Sequence, residues 1–235
     1  MLDSAALRAR LAEVRERIAR AAARARRDPS SVCLVAVSKT FDADHVRAAA
    51  DAGQVDFGEN RVQEALQKMD RTADLPIRWH LIGHLQSNKA RRAGTRFDVI
   101  HSVDSIGLGE ALDHAAGEGH QPVRLLVQVD LAGEPTKHGA RQDELAAIFE
   151  AARAWRAARP VGLMVLPPAV DTPEEARPFF RAVHAVRERL LAGGVDPSTL
   201  TELSMGMSHD FEVAIEEGAT LVRVGTAIFG GRDLL

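Results

Sequence analysis

Between residues 32 and 229 the chain repeats one pattern eight times: a short apolar, β-branched run, then a segment of helical periodicity. The runs are 32–38, 54–57, 78–82, 97–101, 123–130, 161–166, 200–204 and 220–224. The helical segments that follow them are 42–52, a stretch ending near 69, one ending near 93, then 105–116, 141–158, 172–192, 208–217 and 225–229. Strands that alternate with helices make βαβ units and a parallel sheet. Eight such units predict a closed (β/α)8 TIM barrel of the α/β class. An open doubly wound sheet is the alternative, and the count of eight disfavours it. Residues 3–27 add a helix ahead of the barrel, with Leu7, Leu11, Val14, Ile18, Ala22 and Ala25 at spacings of three and four. Its other face carries Arg8, Arg10, Arg15, Arg17, Arg20, Arg24 and Arg26, and Asp28-Pro29 ends it. The expectation is an N-terminal helix packed on the barrel with a solvated basic face, rather than a membrane or nucleic-acid surface. No linker or low-complexity tract divides the chain, so residues 1–235 are expected to form one domain.

Bulk properties exclude several classes. A formal net charge of −3 argues against a general nucleic-acid binder. No apolar run approaches the roughly 20 residues that span a bilayer, and the N-terminus has no apolar signal core. The one cysteine, Cys33, excludes an internal disulfide framework and reads as a small core residue. These features together fit a reduced, cytoplasmic compartment.

A barrel of this kind places its site at the carboxyl ends of the strands. Those ends carry Lys39, Asn60, His84, His101 with Ser102, Lys137, Met164, Ser204 and Gly225. Lys39 is the most informative. Of 30 basic residues only four are lysine, namely Lys39, Lys68, Lys89 and Lys137. An ammonium can lose its proton in a desolvated site and attack a carbonyl, which a guanidinium cannot. The bland alternative is a solvent-exposed lysine at a strand end. Strand seven runs into Ser204-Met205-Gly206-Met207-Ser208, and strand eight into Gly225-Thr226-Ala227. Both supply backbone N–H groups, small residues and hydroxyls where such barrels frequently bind phosphate. They also read as tight strand-to-helix turns, with Ser208 as a helix N-cap. Arg223 stands inside the apolar run Leu221-Val222-Arg223-Val224, and alternation points it inward with Gly225. A buried guanidinium needs a partner. Glu59 or Asp130 would make it a structural ion pair; a ligand nitrogen or anion would make it part of a site. Lysine, phosphate cradle and inward arginine together suit pyridoxal 5′-phosphate (PLP), which offers an aldehyde, a phosphate and a ring nitrogen. A Schiff-base aldolase acting on a sugar phosphate is the competing reading.

The motifs resemble those of a known family. They are Ala36-Val37-Ser38-Lys39-Thr40, Phe57-Gly58-Glu59-Asn60 with Val62-Gln63-Glu64, and Trp79-His80-Leu81-Ile82-Gly83-His84-Leu85-Gln86-Ser87-Asn88-Lys89. Gly162-Leu163-Met164, Leu203-Ser204-Met205-Gly206-Met207-Ser208 and Val222 through Gly230 continue the series in the same order. Together they resemble the PLP homeostasis protein family, with a barrel like the N-terminal domain of alanine racemase. The resemblance implies PLP held as an aldimine on Lys39, ring contact near Asn60, and Arg223 at the pyridine nitrogen. It implies phosphate bound by Ser204, Gly225 and Thr226. His84 is one departure, standing where many relatives carry proline. The expected cofactor-binding set is Lys39, Asn60, Ser204, Met205, Arg223, Gly225 and Thr226, with no catalytic residue and no metal ligand assigned. The implied function is to hold, buffer and transfer PLP, with apo-PLP enzymes as transient recipients and the protein itself a monomer.

An amino-acid racemase is the alternative. Racemization of that type uses the lysine with a tyrosine from a second subunit and a second β domain. This chain has no tyrosine, and 235 residues leave no room for that domain. His80, His84, His101, His138 and His209 are available as a second base, but none is invoked. Lys68 is expected as a surface charge at a helix end, and Lys89 as solvated or near the site. Lys137 is expected in a loop above the mouth, as a surface charge in preference to a second, weaker aldehyde adduct.

Overall fold

The structure, a computed structural model, describes residues 2–119, 121–131 and 138–231. The strands are β1 (Cys33–Val37), β2 (Asp56–Glu59), β3 (Arg78–Leu81), β4 (Val99–Val103), β5 (Val123–Gln128), β6 (Ala158–Met164), β7 (Glu202–Met207) and β8 (Leu221–Val224). They pair in parallel in chain order and close as a barrel, with Val35 of β1 opposite Arg223 of β8. The helices are α1 (Ser4–Arg24), α2 (Ala43–Asp51), α3 (Val62–Arg71), α4 (Ala90–Gly94), α5 (Ile106–Gly119), α6 (Leu145–Ala151), α7 (Pro173–Ala192), α8 (Phe211–Glu216) and α9 (Thr226–Phe229). The expected (β/α)8 barrel with an extra N-terminal helix is the observed fold.

Side-chain alternation divides each strand between two apolar layers. Val35, Val99, Leu126, Met164 and Leu221 form a small cluster inside the barrel. Ala36, Ile100, Leu125, Leu203, Val222 and Val224 belong to the larger cluster between strands and helices. Inward-pointing Arg223 shares the inner face with Leu221, as alternation predicts.

Helix α1 starts where the Asp3 carboxylate accepts the Ala6 N–H at 3.0 Å. It buries Leu7, Leu11, Val14 and Ile18, each worth up to ~1.5–3 kcal/mol. The helix ends at Arg24 rather than 27, and Arg26 turns the chain with φ 55°. Its basic face is not simply solvated. Arg10 donates to the Ile228 carbonyl (2.7 Å), Arg15 to those of Ala52 (2.9 Å) and Gly53 (2.7 Å), and Arg17 pairs with Glu212 (2.9 Å). Arg10 and Arg15 satisfy carbonyls at the ends of barrel elements and Arg17 an α8 carboxylate, so they fasten the helix to the barrel.

The helix expected at 141–158 is broken early. Only Leu145–Ala151 is α-helical, with a 3-10 turn at Ala152–Ala154, and β6 begins at Ala158 rather than 161. The cause is tertiary. Asp113 of α5 accepts the N–H groups of Arg156, Ala157 and Ala158 at 2.8, 2.7 and 2.8 Å, which draws that backbone out of the helix. Cys33 opens β1 partly exposed. Burial, then Asp56, push its thiol up to about 12, so it is inert as a nucleophile.

Strand β7 also departs from expectation. It runs to Met207 rather than 204, and it bulges: Ser204 pairs with Leu221 but Met207 with Arg223. Gly206 provides the left-handed backbone that this needs, at φ 90°. The extension moves the strand's mouth end past Ser204.

Candidate functional site

The carboxyl ends of the strands surround a cavity of about 570 Å³. Lys39, Asn60, Arg223, Gly225 and Thr226 all line it, with His84, His138 and Ser208. Five of the seven expected residues therefore converge. Ser204 and Met205 do not line it. Ser204 lies inside the barrel beneath the floor, and Met205 points outward into the core between strands and helices. The bulge in β7 explains this, because it carries Met207 and Ser208, not Ser204, to the mouth. Lys89 is exposed and does not line the cavity, while Lys137 lies outside the described residues.

Lys39 is half-buried, and among the described residues it has no hydrogen-bond or ion-pair partner. The backbone on both sides of it is held. Thr40 adopts φ 71°, a costly conformation for a β-branched residue, and its N–H is held by Glu64 at 2.7 Å. On the other side the Ser38 carbonyl accepts from Lys68 Nζ at 2.8 Å. Lys68 is buried, contrary to the surface role expected for it. Its ammonium also reaches Glu59 at 2.7 Å and Glu64 at 3.1 Å, and Glu59 takes the Ser38 hydroxyl at 2.6 Å. Burial, the largest influence, lifts the Glu59 carboxyl above its usual range against the pull of Lys68 and Ser38. The Glu64–Lys68 spacing of four was a visible helix pair. Glu59 at the end of β2 makes it a buried one. Asn60 follows Glu59, and its backbone packs against Gly83 so closely that a Cβ there would meet the Asn60 carbonyl oxygen at 2.2 Å.

Arg223 has neither of the carboxylate partners considered from sequence. Glu59 is engaged by Lys68, and Arg223 donates instead to the Ser204 hydroxyl (2.5 Å) and the Val165 carbonyl (2.9 Å). Burial pushes its guanidinium down to about 10, partly offset by Asp210. Below it a chain of polar groups crosses the barrel interior. Ser204 meets His101 Nδ1 at 2.8 Å, His101 Nε2 meets His80 Nδ1 at 2.9 Å, and His80 Nε2 meets Asp56 at 2.9 Å. Burial, the largest influence, holds His101 well below the usual imidazole range, and the charge of Arg223 adds to it. With both imidazoles uncharged, one proton arrangement satisfies every contact: Arg223 donates to Ser204, Ser204 to His101, His101 to His80 and His80 to Asp56. Burial opposes the charge on Asp56, but the hydrogen bonds from His80 and Arg78 outweigh it and hold that carboxyl below its usual range. The chain fixes Arg223 without neutralising it.

At the far wall Ser208 is not the N-cap of α8; Asp210 takes that position. The Ser208 hydroxyl oxygen accepts the N–H groups of Gly225 (3.1 Å) and Ala227 (3.4 Å). Its own O–H is left to donate into the cavity. Ser208 stood at the end of one expected phosphate loop, with a helix N-cap as its alternative reading, but was not among the expected binding residues.

The family model described as alanine racemase, N-terminal domain, matches residues 4–233. A pyridoxal phosphate homeostasis protein of Pseudomonas aeruginosa is 45% identical over 224 residues, covering 95% of this chain and 94% of that one. One from Aquifex aeolicus is 40% identical, covering 95% and 97%. The chain belongs to the pyridoxal phosphate homeostasis protein family. The structure of PipY from Synechococcus elongatus with PLP bound superposes with a TM-score of 0.85 at 42% identity, covering 95% of this chain and all of that one. Alanine racemase from Corynebacterium glutamicum shares the fold at 16% identity and a TM-score of 0.72; the match spans 98% of this chain but 62% of that one.

Proposed function

We propose that this protein holds PLP in the mouth cavity, buffers it within the cytoplasm and hands it to apo-enzymes. The observation that carries the reading is a lysine amine and a buried guanidinium that face one cavity, the amine with no partner and the guanidinium with no hydrogen-bonded carboxylate among the described residues. The residues fit the cofactor. PLP supplies an aldehyde that condenses reversibly with an amine, an electron-withdrawing ring and a phosphate.

Lys39 provides the amine, and the Ser38 and Thr40 anchors aim it across the cavity. Arg223 would offer an N–H donor to the ring nitrogen. Its fixed positive charge disfavours a further proton there, which weakens carbanion chemistry. Ser208, Gly225 and Thr226 would line the phosphate site; the Ser208 hydroxyl oxygen already takes the Gly225 and Ala227 N–H groups, so the Ser208 O–H and the Thr226 N–H and hydroxyl would be the donors. Asn60 lines the cavity and would contact the ring. That charge on Arg223 makes release and transfer, not turnover, the activity; His84, His138 and His209 also line the cavity, and the racemization assay tests whether any of them serves as a base. The protein acts as a monomer.

The test runs two assays in parallel on the PLP-loaded protein. Reactivation of an apo-PLP enzyme is expected, with no racemization of L- or D-amino acids by chiral chromatography. Sustained turnover of any amino acid, abolished by Lys39→Ala, would overturn the reading in favour of a racemase-type enzyme. Failure to reactivate any apo-enzyme would remove the transfer function.

A further inference from the structure

Three side chains of metal-binding type converge on the rim of the mouth. His84 lies in the loop after β3, Asp104 immediately after β4, and His138 in the segment after β5. One donor atom from each lies within 4.8 Å of the other two. His84 Nδ1 is 3.9 Å from the Asp104 carboxylate, and the two imidazoles stack with centroids 3.4 Å apart and planes 7° from parallel. None of the three has a part in holding Lys39 or Arg223. His138 is not a loose side chain brought near by chance. Its carbonyl accepts from the Gln128 amide, and Val129 and Ala140 bridge just beyond it. His84 and Asp104 therefore follow closely on the ends of β3 and β4, and the Val129–Ala140 bridge holds the backbone beside His138.

We propose that His84, Asp104 and His138 form a binding site for a divalent first-row transition-metal ion. Two imidazoles and one carboxylate suit zinc, cobalt or nickel. Calcium and magnesium prefer sites built from oxygen alone. Zinc bonds nitrogen and oxygen at ~2.0–2.2 Å, so its ligand atoms stand about 3.3–3.6 Å apart. The 3.9 Å gap between His84 and Asp104 closes by a few tenths of an ångström of side-chain movement. In the stack the ring planes, and so the nitrogen lone pairs, run parallel rather than converge. Binding therefore tilts the two rings apart about their Cβ–Cγ bonds while the backbones stay in place. Three protein ligands leave at least one coordination position open. Both histidines line the cavity, so that position is reachable from it by water or an anionic group. The ion would tie the segment after β5 to the ends of β3 and β4.

The inference is independent of the cofactor reading, and its test uses metal alone. Untagged full-length protein is titrated with cobalt(II) chloride and followed by visible d–d absorption, then challenged with zinc. The expected result is saturable one-to-one binding displaced by zinc. It is weakened on the order of 10-fold or more by His84→Ala, His138→Ala and Asp104→Asn, and unaffected by His114→Ala, an exposed histidine elsewhere. Zinc should also raise the melting temperature of the parent protein and not of the two histidine variants. All three ligands are exposed or half-exposed, so the variants are expected to fold, and their metal-free melts check this. Absence of saturable binding, or binding unchanged in either histidine variant, would overturn the site.

Discussion

Polar side chains at the cavity wall and those just behind it are treated in opposite ways. At the wall, Lys39 has no partner among the described residues and Ser208 keeps its hydroxyl proton free for the cavity. Behind the wall, Lys68 is held by two carboxylates and a carbonyl, and Ser204 is held between Arg223 and His101. Each pair contains the same residue type, so chemistry alone does not separate them. What separates them is whether the fold has already satisfied the group. A buried amine locked to carboxylates stabilises and positions. An amine left open at a cavity remains available to a ligand.

The largest expected effect separates the two lysines. Borohydride treatment of PLP-loaded protein, followed by peptide mapping, should label Lys39. Lys39→Arg should abolish the chromophore completely, while Lys68→Met retains it in whatever fraction folds. A label confined to Lys68, Lys89 or Lys137 would reverse the comparison.

Stability should invert that ranking. Lys68→Met leaves Glu59 buried without its countercharge and is expected to cost about 3–5 kcal/mol in urea unfolding. Pairing it with Glu59→Gln should recover part of the loss. Lys39→Met should change stability by no more than about 0.5 kcal/mol. Equal losses for the two lysines would erase the distinction drawn here.

The two serines sharpen it further. Ser208→Ala should weaken PLP, and inorganic phosphate as a competitor, by about 1.5–3 kcal/mol, the worth of one hydrogen bond to a charged group. It should spare pyridoxal, which lacks the phosphate. Ser204→Ala should weaken PLP and pyridoxal alike, because it loosens Arg223 rather than the phosphate. Binding titrations with the two aldehydes distinguish these outcomes.

The smallest effect is in pH. His101 is uncharged in the fold, with its pKa below the ordinary value of 6.5. Below about pH 6.5 the unfolded chain binds a proton there that the folded protein does not. Stability should therefore fall as pH drops from that value, by up to about 1.4 kcal/mol per pH unit, until the folded-state pKa is reached. Above it His101 contributes no slope. His101→Gln should flatten the dependence between pH 6.5 and 5 in denaturant titrations. An unchanged slope would show that other groups govern it.

Much of the fold was legible because its signals are local. Alternation at period two and helical spacing mark strands and helices within windows of about ten residues, and these placed Lys39 at a strand end and Arg223 on the inner face. The errors arose where a distant group intervened. The run 141–158 has helical spacing throughout, yet three hydrogen bonds to Asp113 end the helix. The stretch 200–204 reads as a complete strand, yet pairing with β8 across a bulge carries it to Met207 and replaces Ser204 by Ser208 at the wall. Lys68 ends a helix as a surface residue would, yet Glu59 is packed beneath it. The rim cluster was equally invisible, since His84, Asp104 and His138 are separated by 20 residues or more and follow three different strands.

The sequence by itself determined the number and order of the strands and helices, the inward direction of Arg223 and the presence of a rare lysine at a strand's end. Those properties follow from side-chain direction and covalent order along one element. The tertiary structure alone decided which polar groups are spent and which are open. Whether a lysine or serine finds a partner depends on atoms brought within about 3 Å from remote parts of the chain, and only closure of the barrel brings them there.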